Sequence, residues 1–280
     1  MAIVKRDFVA KIPDTIKLVD GLNRNDYKWI LSLYSDDSWN DNEQRDVLIH
    51  FSGSGVTEHY QPNSTAVVKC INRNRHFAVL NYSGTPGTTQ PPYQNGWGVQ
   101  TRNFFPYLLR LSFEVQSALN TLLQTKEIND LYKLGNVYLS GKSRGGAAVV
   151  FWAGIASNTN VDSNNLYKRV KGIVNFNGIA GSDVDRKWDR PRDSLQPLSY
   201  GMNNTFAQMV HIYNDADDKG NSDIRRRFQF GIVEKARKLN FFYNFKDSGH
   251  ELNWDFLHET IQCWVNNTPL SYNGKDINHE

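Results

Sequence analysis

The chain of 280 residues has little that would mark it as disulfide-linked, exported, membrane-spanning or nucleic-acid-binding. Its two cysteines, Cys70 and Cys263, are too few and too far apart for a disulfide framework or a structural zinc, and both are expected as reduced thiols. No apolar run reaches the roughly 20 residues that cross a bilayer, and the longest, Gly145 to Ala156, reads as a buried helix. Met1 to Asp7 is not followed by the apolar core and small-residue cleavage site of a secretory signal, so cytoplasmic residence is the expectation. The formal charge of +3 is small for this length. The basic clusters Arg186-Lys187 and Arg225-Arg226-Arg227 are interleaved with Asp183, Asp185, Asp189 and Asp223, which argues against the sustained basic face of a nucleic-acid binder and leaves only a weak pull toward anionic lipid headgroups. Repeats and low-complexity tracts are lacking too, and the length suits one large core.

What is present centres on Gly141-Lys142-Ser143-Arg144-Gly145. The pentapeptide lies between the strand-like Asn136-Val137-Tyr138-Leu139-Ser140 and the small, apolar run that begins Gly146-Ala147-Ala148. A buried strand turning sharply into a close-packed helix, with a serine at the centre of G-x-S-x-G, is the setting of a nucleophile elbow, where flanking glycines remove the Cβ atoms that would collide. Ser143 is the candidate nucleophile. The same residues offer a rival reading, because Gly141-Lys142-Ser143 ends like a phosphate-binding P-loop. That motif needs a glycine at position 136, where Asn136 stands, and Val137 to Leu139 read as strand rather than as a loop of amides.

Around the elbow, strands alternate with helices. Strands are predicted at Asp46–Phe51, Phe77–Tyr82, Asn136–Ser140, Val170–Phe176, Met209–Tyr213 and Phe241–Phe245. Helices are predicted over 64–72 with Asn63 as cap, over 101–126 with a firm start near Pro106, after the elbow, and over 224–239. This alternation predicts a single α/β domain with a mostly parallel sheet covered on both faces. Residues 83–98, rich in Gly, Pro and Thr, form a long loop, and residues 178–205, aromatic but without a clean period, read as a lid or cap insertion.

A serine hydroxyl is a poor nucleophile at neutral pH, so the elbow predicts a carboxylate and then a histidine further along the chain. The acid comes from the turn after the strand at 209–213. Asp217 is the choice, with Asp215 and Asp218 as alternatives. The base is His250, in the Gly249-His250 pair directly after the strand at 241–245; the other six histidines fall within strands, on the terminal helix or outside the expected slot. The oxyanion formed on attack needs two amides, assigned to Arg144 and to Ser54 or its neighbour Gly53 in the loop after Phe51. With its amide so employed, the Arg144 side chain is left to face the cleft or a nearby carboxylate.

Elbow, acid turn and histidine loop, in that order from about Asp46 to Val265, resemble the α/β-hydrolase superfamily, with Asn214 where the acid turn of that superfamily usually has glycine. Phe51-Ser52-Gly53-Ser54-Gly55 and the Ser-Arg-Gly-Gly elbow are also similar to motifs of bacterial lipase-like proteins, including phospholipase effectors of type VI secretion, which tend to carry Asp where this chain has Ser52. The first forty residues have no counterpart in that likeness and are expected to supply edge strands. The resemblance implies a serine esterase or lipase that needs no metal or organic cofactor, acting on a small-molecule or lipid ester, with export without a standard signal as a further implication; the peripheral membrane contact expected beside it rests on the weak pull of the positive charge alone. Two other classes stand beside it. One is a binding protein that keeps the fold without a working site, and the other is a nucleotide binder at the Gly-Lys-Ser sequence.

Overall fold

A computed structural model describes residues 2–13, 28–40, 42–53, 64–83, 104–157, 161–178, 200–214, 232–246, 248–249 and 251–278, with 82–83 described as strand backbone and 104–111 as helical backbone only. Eight strands form one sheet: β1 (Ile3–Ala10), β2 (Lys28–Asp36), β3 (Arg45–Phe51), β4 (Arg75–Ser83), β5 (Leu134–Lys142), β6 (Val170–Phe176), β7 (Gln208–Ile212) and β8 (Asn240–Tyr243). The helices are α1 (Thr65–Ile71), α2 (Phe104–Gln124), α3 (Lys126–Leu131), α4 (Arg144–Ile155), α5 (Glu234–Arg237) and α6 (Trp254–Asn266).

The near-continuous apolar runs of β3, β5 and β6 are those of strands buried on both faces. Residues alternate between the faces. Val47, Ile49, Phe51, Val137, Leu139 and Ile173 join a cluster with Val115, Leu119 and Leu122 of α2 and the buried length of α4. Leu48, Tyr138, Val174 and Phe176 join a second cluster with Val67 and Ile71 of α1 and Phe256, Leu257 and Ile261 of α6. Each fully buried side chain of this size contributes about 1.5–3 kcal/mol, so the two clusters supply most of the cohesion between sheet and helices.

Strand order is β1-β2-β4-β3-β5-β6-β7-β8. The pairs from β4 through β8 are parallel, whereas β1 pairs antiparallel with β2 and β2 antiparallel with β4. The expected edge strands of the first forty residues are thus present, although β2 lies inside the sheet and β1 alone forms that edge. From β3 the chain crosses to β4 on one side, and from β5 it crosses to β6 on the other. Connections therefore diverge at neighbouring carboxyl ends, leaving a crevice there. Phe51 pairs with Gly141 at that point, which brings the end of β3 level with the end of β5.

Several boundaries differ from the sequence expectation. β5 runs on to Lys142 because Gly141 and Lys142 pair with Asn175 and Phe176. β7 and β8 begin one residue early, at Gln208 and Asn240, polar residues that composition alone assigns to loops. Ser64 holds the N-cap position of α1 without a side-chain cap bond, and Asn63 lies outside the described residues. Asn253 caps α6 by accepting the Phe256 N–H (2.9 Å). Of the expected 178–205 insertion, residues 179–199 lie outside the described residues. Its end belongs to the body of the molecule: Met202 is buried in the α2/α4 cluster, and its carbonyl accepts a hydrogen bond from Asn240 Nδ2 (3.0 Å). Residues 84–98 of the expected 83–98 loop lie outside the described residues, while Ser83 ends β4; of the helix expected at 224–239, residues 224–231 lie outside them, and the described half is α-helical only over α5.

Candidate active site at the carboxyl ends of the strands

Ser143 stands between the last residue of β5 and the first of α4 with φ 51° and ψ −116°, a conformation that costs a non-glycine residue on the order of 1–3 kcal/mol. Hydrogen bonds on both sides hold it there. Its N–H donates to the Phe176 carbonyl (2.8 Å), continuing the β5–β6 ladder, and its carbonyl accepts the Ala147 N–H (3.0 Å), opening the first turn of α4. The glycines make room for this turn. A Cβ on Gly141 would lie 2.2 Å from the Gly145 carbonyl oxygen, and one on Gly145 would lie 2.0 Å from that of Phe51. The elbow therefore rests with bare backbone on the end of β3.

The loop leaving β3 passes close to the serine, since a Cβ on Gly53 would come within 3.3 Å of Ser143 Cβ. Ser54 lies outside the described residues. The Arg144 N–H belongs to the first turn of α4, at the positive end of the helix dipole. Its guanidinium is buried and turned away, donating from one nitrogen to both Glu114 oxygens on α2 (3.1 and 3.2 Å). Of the two directions open to this side chain, the structure shows the carboxylate. The sequence did not single out Glu114. Its signal is a charge four residues before Ala118, beside the stripe Val115, Leu119 and Leu122 that α2 buries, where a charge requires a partner.

Asp217, its alternatives Asp215 and Asp218, and His250 lie outside the described residues, but the segments leading to them are described. Asn214, buried at the end of β7, donates from Nδ2 to the Gly249 carbonyl (2.7 Å) and accepts the Phe245 N–H at Oδ1 (3.3 Å). Its own N–H donates to Asn177 Oδ1 (3.2 Å) just past β6. The residue before His250 is thus bonded to the residue three before Asp217. A cavity of about 270 Å³ adjoins this junction, lined among others by Lys69, Asn214, Phe245, Ser248 and Trp254; Ser143 does not line it.

His50 and His211 lie within strands and are buried core residues. His50 Nδ1 meets Ser140 Oγ (2.8 Å) and the ring lies edge-on to Trp254; burial, reinforced by Lys142, pushes its pKa down to about 3. His211 bridges Asn175 and Asn240 (3.2 and 2.9 Å), and burial lowers it to about 4. Both rings are neutral near pH 7. The Gly-Lys-Ser sequence consists of two strand residues and the elbow, so Asn136 to Lys142 provide no phosphate-wrapping loop. Among the described residues no three His, Cys, Asp or Glu side chains converge as metal ligands do, Cys70 and Cys263 are free thiols, and no helix is long and apolar enough to cross a membrane.

No sequence-family profile matches the chain, and no curated protein matches it by sequence. Solved structures do resemble it. A dienelactone hydrolase from Anabaena variabilis superposes with a TM-score of 0.57 at 12% identity, over 96% of this chain and 99% of that one. The chain has the α/β-hydrolase fold. An acetyl xylan esterase from Paenibacillus sp. R4 aligns with a TM-score of 0.56 at 13% identity over 95% of this chain and 89% of its own. The Pyrococcus horikoshii acylaminoacyl peptidase gives 0.59 at 13% identity over 89% of this chain. The chain spans only 36% to 43% of the length of the peptidase chains it resembles. Within an α/β-hydrolase fold, the Ser143 turn occupies the strand-to-helix elbow at the sheet's central crevice, with Asn214 and Gly249, the described neighbours of the expected acid and base, beyond the ends of β7 and β8.

Proposed function

We propose that the protein is a serine hydrolase that cleaves a carboxylic ester through an acyl-enzyme. The backbone of Ser143 carries this reading, because a non-glycine residue held at φ 51° between a strand and a helix is the strained turn that presents a nucleophile. The solved structures of similar fold add weight, since their names include an esterase and a dienelactone hydrolase.

In the proposed reaction Ser143 Oγ attacks the ester carbonyl while His250 takes its proton, and Asp217 orients the imidazole and stabilises its charged form. The amides of Arg144 and of Ser54 or Gly53 hold the oxyanion; losing one such donor typically costs about 2.7–4 kcal/mol in the transition state. Collapse breaks the bond to the alcohol, which leaves with the proton from His250. Water then attacks the acyl-serine, gives its proton to His250, and the carboxylic acid departs as Ser143 recovers its hydrogen. The aromatic and apolar residues of the 178–205 insertion favour an acyl substrate over a polar one. Turnover of a short-chain aryl ester tests this. Ser143→Ala should abolish it with the thermal midpoint nearly unchanged, and persistence of activity removes Ser143 from the chemistry.

A further inference from the structure

We propose that Asn214 is a positioning residue that fixes the histidine loop relative to the nucleophile, an inference that rests on the Ser143 reading above. A continuous path of hydrogen bonds and peptide links joins the two. The Ser143 N–H donates to the Phe176 carbonyl (2.8 Å), and Asn177 follows Phe176 in the chain. Asn177 is held at φ 49° by its own N–H to the Ile212 carbonyl (2.8 Å), which turns its Oδ1 to the Asn214 N–H (3.2 Å). Asn214 then reaches out of the sheet with both ends of its amide, accepting from Phe245 N–H (3.3 Å) and donating to the Gly249 carbonyl (2.7 Å). The next residue is His250.

The chemistry of the side chain suits this place. An amide carries an acceptor and a donor in one rigid plane, so a single residue can clamp two backbone points of a loop. A carboxylate keeps only the acceptor, and glycine or alanine keeps neither. Asn177 and Asn214 are almost wholly buried, where hydrogen bonds are less exposed to competition from water. Three carboxyl ends, those of β6, β7 and β8, are thereby held in one register. Because a misplacement of about 1 Å can lower a rate by about 100-fold, a clamp one residue from the base acts on proton transfer without touching substrate.

The test is the rate at which a fluorophosphonate labels Ser143, measured well below the melting temperature for wild type and Asn214→Ala, with hydrogen exchange followed over 244–253 and over 134–150. We expect labelling to slow by about 100-fold with its pH profile displaced, and exchange to rise at 244–253 while 134–150 keeps its protection. Labelling within about twofold of wild type, with only the melting temperature lowered, overturns the positioning role and leaves the Ser143 reading standing. Absence of labelling in wild type overturns both. If Asn214→Ala does not fold, Asn214→Asp keeps the acceptor for Phe245, loses the donor to Gly249, and is read by the same two outcomes.

Discussion

Ser143 and the loop that carries Gly249 are held by different means. At the elbow, backbone meets backbone: Gly141 and Gly145 allow the turn to press on itself and on the end of β3, and ladder hydrogen bonds fix Ser143. On the far side, side chains do the holding, as Asn177 and Asn214 reach across gaps between strand ends. Contact through missing side chains tolerates no addition, whereas contact through amides fails by subtraction. The elbow should therefore break when atoms are added and the loop carrying Gly249 when they are removed.

The largest effect on stability is expected where the elbow helix meets α2. Glu114→Ala leaves the Arg144 guanidinium buried without this carboxylate and should cost about 3–5 kcal/mol by chemical denaturation. Gly145→Ala comes next, since its Cβ would overlap the Phe51 carbonyl; a loss of about 1–3 kcal/mol is expected, with Ser143 labelling falling far more than stability. Equal loss at both readouts would show that the elbow serves packing alone.

Acid should act on the sheet in a defined window. Burial holds His50 and His258 near pKa 3 and His76 and His211 near 4, below the ordinary 6.5. For His211 burial does the lowering, and Asn240 works against it: Asn240 Nδ2 donates to the Met202 and Ala236 carbonyls, so its Oδ1 faces His211 Nε2. Because the unfolded chain binds these protons first, stability is full above about pH 6.5 and falls as pH drops toward 4. The limiting slope is about 1.4 kcal/mol per pH unit for each histidine. Urea midpoints across this range check the direction, and a midpoint that rises on acidification contradicts it. The smallest effect is expected at Gly53→Ala, where the added carbon meets Ser143 Cβ at 3.3 Å; stability should change by less than about 1 kcal/mol, while ester turnover drops.

The same division explains what could be read in advance. β3, β5 and β6 announce themselves as apolar runs because both faces are covered, and the elbow does so because close backbone approach demands glycine at fixed spacing. β1 was harder to place, since Lys5, Arg6 and Asp7 stand exposed on an edge strand and blur its alternation. The asparagine path was hidden for another reason. Asn177 and Asn214 lie far apart in sequence, and an asparagine after a strand reads as an ordinary turn residue until the neighbouring strand ends are assembled around it. Glu114 became intelligible only when α4 brought Arg144 beside it.

The central claim is that Ser143 is an activated nucleophile. Treating the folded protein with a fluorophosphonate and mapping the adduct by mass tests it most directly. The account predicts one adduct, on Ser143, absent from Ser143→Ala; a folded protein that acquires no adduct, or acquires it on another residue, contradicts it.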